Sequence, residues 1–140
     1  MGSVKSNIFF TSEPLSISVW LLNIVKCTKI NIRKFDNEPF LLLEHGGKTE
    51  VSEILEKNNV NPNIRFTTWE DFAIMSMVEK GLGAAILPEL ILQRVNYEIE
   101  IRPLEEPYYR KICIAMKNKE RLTPAAAKFM EYLVQHRKEQ

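Results

Sequence analysis

The sequence holds only two cysteines, Cys27 and Cys113, in 140 residues. Two distant thiols exclude a multi-bridge disulfide scaffold and fall short of the ligand set of a structural zinc. Reduced thiols in a cytosolic protein are the plain reading. Charge of one sign is also missing. Lys and Arg total 19 against 18 for Asp and Glu, a formal net charge of +1. That balance argues against a protein that holds nucleic acid by bulk electrostatics. Histidine is scarce, and neither His45 nor His136 has a second ligand at metal-binding spacing. Long apolar runs are absent as well. The most apolar stretch, Ile17 to Val25, is broken by Ser18 and Asn23 and is about half a bilayer span. No small-residue cleavage site follows it, since Lys26, Cys27, Thr28 and Lys29 come next. No membrane contact, no metal, no cofactor and a cytoplasmic location are expected.

What is present is enough apolar material for a core. Hydrophobic residues make up 45% of the chain, and its length fits one domain. Residues 1–36 read as an irregular N-terminal segment. Pro14 and the β-branched Ile17, Val19, Ile24 and Val25 favour extended backbone there. Ile30 to Phe35 alternates weakly, with Ile30 and Ile32 on one side. From residue 37 to 140 the pattern is sharper. Phe40-Leu41-Leu42-Leu43 reads as a buried strand, ended by Glu44, His45, Gly46 and Gly47. Thr49 is an N-cap for a helix to about Lys57, with Val51, Ile54 and Leu55 on one face. Asn58, Asn59, Asn61 and Pro62 stop it. Asn63 to Thr67 is a second strand, with Ile64 and Phe66 on one face.

Thr67 precedes Glu70 by three positions, and Thr68 precedes Asp71 by three, so either pair suits a capping box. Phe72, Ile74, Met75, Met77 and Val78 carry the apolar side of the helix that follows. Gly81 ends it in a left-handed cap. Ala84 to Leu87 is a short buried strand, and Pro88 suits the first position of the next helix. Strand, helix, strand, helix, strand, helix over Pro39 to Leu92 argues for a parallel α/β sheet with right-handed crossovers. Two alternating strands follow, Glu98 to Arg102 with Ile99 and Ile101 inward, and Lys111 to Met116 with Ile112 and Ile114 inward. Thr123-Pro124 caps a last helix bearing Ala126, Phe129, Met130 and Leu133.

Parallel sheets place ligands outside the carboxyl ends of their strands, where helix N-termini point N–H groups outward. Glu44 to Thr49, Thr67 to Glu70 and Ala84 to Pro88 meet that description, and a carboxylate would suit the partial positive charge there. The residues alone equally allow ordinary βα turns whose caps serve only their helices. Gly46-Gly47-Lys48 lacks the upstream glycine and the Ser or Thr of a phosphate loop, and Gly81-Leu82-Gly83 ends a helix where a dinucleotide fingerprint would open one. His45 beside Glu44 suggests a base with its orienting acid, but neighbours on a strand point to opposite faces. Cys113 sits inside a strand and reads as structural. Trp69 either covers a ligand or packs against the helix start.

Three segments then become recognisable: Glu38-Pro39-Phe40-Leu41-Leu42-Leu43-Glu44, Ile64-Arg65-Phe66-Thr67-Thr68-Trp69-Glu70-Asp71, and Met77 to Leu90. With Leu122-Thr123-Pro124-Ala125-Ala126 and Phe129, their order and spacing resemble the effector-binding domain of LysR-type bacterial transcription regulators. The resemblance implies a type II periplasmic-binding-protein-like α/β fold, mainly its second lobe (about 37–116), with a returning C-terminal helix of the first lobe (about 123–137). It implies a small organic acid as effector and His45, Gly46, Gly47, Thr67, Thr68 and Trp69 as ligand-binding residues. It implies a homo-oligomer that is not an enzyme. The family's helix-turn-helix has no counterpart here, so a truncated regulator without direct DNA contact is expected. Glu13-Pro14-Leu15 and Ile30-Asn31-Ile32 resemble the family's crossover region, while Val19 to Val25 between them departs from it, so residues 1–36 are expected to hold a degenerate crossover. The alternative is a ligand-free interaction or dimerisation module derived from such a regulator; an enzyme using His45 and Glu44 ranks last.

Overall fold

The computed structural model describes residues 6–19, 28–44, 46–93 and 96–136. Its elements are β1 (Ser6–Val19), β2 (Pro39–Leu43), α1 (Glu50–Lys57), β3 (Asn63–Thr68), α2 (Asp71–Glu79), β4 (Ala85–Pro88), α3 (Glu89–Leu92), β5 (Glu100–Pro103), β6 (Tyr109–Met116) and α4 (Pro124–His136). The chain divides into two units: Pro14–Arg110, and Met1–Glu13 with Lys111–Gln140.

In the larger unit, the apolar run of β2 is explained by burial on both faces. Phe40 and Leu42 enter one core cluster, with Phe35, Val51, Ile54, Leu55 and Ile86. Leu41 enters the other, with Ile74, Met75, Val78, Ala85 and Leu87. Alternate residues of a strand face opposite ways, so α1 covers one face of the sheet and α2 with α3 the other. Phe35 meets Phe40 edge to face, with ring centroids 6.1 Å apart.

β2 and β3 pair in parallel. β2 also meets the chain entering β4 in parallel, through a bridge between Phe40 and Ala84. Leu41 N–H donates to the Ala84 carbonyl at 2.8 Å and Ala84 N–H to that of Pro39 at 3.0 Å. The expected parallel unit is therefore present. The alternation did not reveal that β1 inserts antiparallel between β4 and β5. Expecting residues 1–36 to be irregular misses this strand. Pairing across a sheet is a non-local choice that local propensity records only weakly.

Other details differ. Ile30 and Ile32 are buried as expected, but Ile32–Phe35 is a 3-10 turn. Neither capping box forms at α2: its N-cap is Glu70, without a side-chain cap bond. β3 runs on through Thr68, so both threonines stay extended, and Thr68 Oγ1 accepts from Glu70 N–H at 3.2 Å. Pro88 is the N-cap of α3 and not its first residue. Ile64 and Phe66 are 45% and 50% exposed. The β2–β3 register shifts between Phe40 and Leu41, which breaks the simple period-two reading of β3. Gly81 takes the left-handed conformation expected of it, with φ +74°.

In the smaller unit, β6 pairs with β1. Thr123 caps α4, its Oγ1 accepting from Ala126 N–H at 3.3 Å. Ala126, Met130 and Leu133 are half-buried; Phe129, expected on the same face, is exposed.

Candidate functional site

The β2–β3 pairing sets Leu43 opposite Thr68. Parallel strands that end level bring their following loops side by side at one rim. Glu44 N–H donates to the Thr68 carbonyl at 3.0 Å and ties the two loops together. Thr49 then starts α1 in a capping box: its Oγ1 accepts from Ser52 N–H at 3.4 Å, and Ser52 Oγ accepts from Thr49 N–H at 2.8 Å. Such a box satisfies two donors of the helix start. Glu50 and Glu53 already place negative charge in that first turn. For an anion, the donors this rim carries are therefore the loop amides, the threonine hydroxyls and the Trp69 indole N–H.

Gly46 and Gly47 are exposed, and a Cβ on either would meet nothing within 4 Å. Gly46 has φ +74°, which glycine tolerates best. Thr67 is exposed; Thr68 is half-buried and occupied with the Glu70 amide. Trp69 is 65% exposed, so it does not pack away against the helix start. His45 lies outside the described residues, and with it the geometry of the Glu44–His45 pair. The register thus ends β2 and β3 level, at Leu43 and Thr68, with Gly46 and Gly47 in the loop that follows the one and Trp69 directly after the other. Ala84 to Pro88, the third expected turn, is buried throughout, so any part it plays falls to the backbone where α3 begins.

Lys48 is not poised for an anion at the loop. Its Nζ donates to Glu56 Oε2 at 2.6 Å, an ion pair that raises its pKa. Ile74, Met75 and Val78 are core, as expected, whereas Phe72 is 62% exposed. Among the described residues no group of three or more His, Cys, Asp or Glu is placed to hold a metal. No described helix is long and apolar enough to cross a membrane. Sequence reasoning passed over a cavity of about 180 Å³ in the same unit, lined by Arg33, Asn58, Glu105 and Tyr108 among others. Its residues come from separate segments, so no local spacing marks it.

A layered α/β unit of parallel strands, with one antiparallel strand inserted, is the architecture of type II periplasmic-binding-protein-like domains. The chain belongs to the LysR substrate binding domain family, whose model matches residues 24–138. That is a family of regulator ligand-binding domains and not of enzymes. It is 33% identical over 109 residues to the uncharacterized HTH-type transcriptional regulator YybE of Bacillus subtilis (strain 168), covering 76% of this chain and 37% of that protein. It is 30% identical over 122 residues to the HTH-type transcriptional activator CmpR of Synechocystis sp., covering 81% of this chain and 39% of that one. The chain thus spans about two-fifths of these relatives. Among solved structures, the effector binding domain of QuiR in complex with shikimate superposes with a TM-score of 0.83 at 18% identity, covering 96% of this chain and 66% of that one. The Synechocystis CcmR regulatory domain in complex with 2-PG does so at 0.83 and 22%, covering 95% and 67%.

Proposed function

We propose that this chain senses a small organic acid at the rim where β2 and β3 end, by binding and without catalysis. The observation that supports this reading is the level pairing of Leu43 with Thr68, from which the loops holding Gly46 and Gly47 and Trp69 both start. The two glycines let backbone N–H groups approach a carboxylate closely. Thr67 and Thr68 add hydroxyls, His45 adds a titratable donor, and the exposed Trp69 ring closes over the ligand. Two domains of the same fold hold shikimate and 2-PG, which supports a small acidic effector.

Thermal melts with a panel of aromatic and aliphatic acids, shikimate included, test the proposal. At least one acid is expected to raise Tm saturably, by the equivalent of about 2.7 kcal/mol at a hundredfold excess over Kd. In a Trp20→Phe variant, whose emission reports Trp69 alone, fluorescence should shift with the same midpoint. Gly47→Ala should melt like the parent, because its Cβ has open space, yet lose the ligand response. A folded sample that no acid stabilises and whose Trp69 emission never moves would overturn the reading.

We also propose that copies of the chain associate through β3. Among the described residues β3 has one strand neighbour, β2, and it exposes Ile64 and Phe66 at its edge. Light scattering at micromolar protein is expected to give the dimer mass, and Ile64→Lys with Phe66→Lys the monomer mass with little change in Tm. A monomeric parent would end this proposal.

A further inference from the structure

The larger unit has a second concave surface, at the end of α1 away from the loop rim. Thr49 caps the start of α1 and Asn58 its end, so about 12 Å of helix separates the two places. The cavity measures about 180 Å³, room for about six waters or one compact polar molecule. Its floor is apolar, made by the buried Ile32 and Leu104. Its walls carry both signs of charge: Arg33, and the neighbouring Glu105 and Glu106.

The two carboxylates are held by fixed donors. Asn31 Nδ2 donates to Glu105 Oε2 at 2.7 Å. The Tyr108 hydroxyl donates to Glu106 Oε2 at 2.9 Å and accepts from Asn58 Nδ2 at 2.8 Å. Burial raises the Tyr108 pKa above its ordinary value, so this hydroxyl stays a donor at neutral pH. A carboxylate offers about four acceptor positions, so each retains capacity for a further donor. Among the described residues no ion pair joins Arg33 to a carboxylate. Opposite charges therefore line one concave surface without neutralising each other.

We propose that this cavity binds a small zwitterion of the α-amino-acid type, its ammonium on Glu105 and Glu106 and its carboxylate on Arg33. A simple anion would meet two carboxylates, and a simple cation would leave Arg33 unanswered. A zwitterion answers both signs and rests a short side chain on Ile32 and Leu104. The carboxylates are already oriented by Asn31 and Tyr108, which lowers the ordering cost of binding.

The test titrates the full chain with glycine, L-alanine and L-serine, with acetate and methylamine as single-charge controls. Amide chemical shifts and thermal melts are the readouts. The amino acids are expected to give saturable shifts confined to residues 31–33, 58 and 104–108, with both controls at least about tenfold weaker. Arg33→Gln, and separately Glu105→Gln with Glu106→Gln, should each weaken binding about tenfold or more. These side chains are exposed, and glutamine keeps an acceptor for Asn31 and Tyr108, so the variants fold. Gly47→Ala should leave the response intact, which separates this cavity from the loop rim. The proposal is overturned by any of four results: no saturable response, an equal response to acetate or methylamine, shifts that map to residues 44–49, or binding that survives both sets of variants.

Discussion

Phe40→Ala is expected to cost about 3–5 kcal/mol, a large part of the total stability of an ordinary domain. Phe40 is fully buried, sits in the central strand β2 and meets Phe35 edge to face. Its removal takes away the burial of a large ring and leaves a cavity between α1 and the sheet. The neighbours that would fill it, Leu42, Ile54 and Ile86, are held by their own strand or helix positions. Collapse of the site is therefore limited, and the cost lies toward the upper end of that range. Urea melts followed by far-ultraviolet circular dichroism should show the midpoint falling with an unchanged slope. A loss below about 1 kcal/mol would mean that β2 is not the centre of the core.

Gly83→Ala should be nearly as damaging, although it adds a single methyl group. A Cβ at Gly83 would stand 2.8 Å from the Pro39 carbonyl oxygen, 3.0 Å from its carbon and 3.2 Å from Phe40 N. All three are backbone atoms of β2, and Ala84 N–H holds that same carbonyl at 3.0 Å. A flexible side chain would move aside; a hydrogen-bonded strand cannot move without carrying its neighbours. We expect a loss of about 3 kcal/mol, or about 10 °C in Tm. Gly47→Ala is the matched control, since the same methyl there meets only solvent. Equal melting of the two variants would refute the close approach of the chain entering β4 to β2.

The contrast between these glycines shows what local sequence records. Gly81 and Thr49 were legible, because a left-handed cap and an N-cap are properties of a few consecutive residues. The burial of Phe40 to Leu42 was legible for the same reason: four apolar residues in a row suit a strand covered on both faces. Thr67 and Thr68 misled as caps. The motif was present, but strand pairing with β2 claimed both residues first. Phe66 and Phe72 carried the right periodicity for a core and stand largely in solvent. Periodicity tells which residues share a face and not whether another layer covers it.

The candidate rim was partly legible. Its two loops follow from parallel strands ending in Gly-Gly and Thr-Thr-Trp, and only the register shows them to be level. The second cavity was not legible at all. Asn31, Asn58 and Tyr108 are far apart in the chain, and hydrogen bonds join Asn58 to Tyr108 and Asn31 to Glu105 across that separation.

By itself the sequence determined the α/β alternation from Pro39 to Leu92, the helix caps at Thr49 and Gly81, and the family. Each is a short-range pattern of residue type and spacing. The tertiary structure alone decided where β1 pairs, which apolar faces stay uncovered, and which polar groups share a cavity. Those outcomes depend on contacts between distant segments, whose energies reach the sequence only through the complete fold.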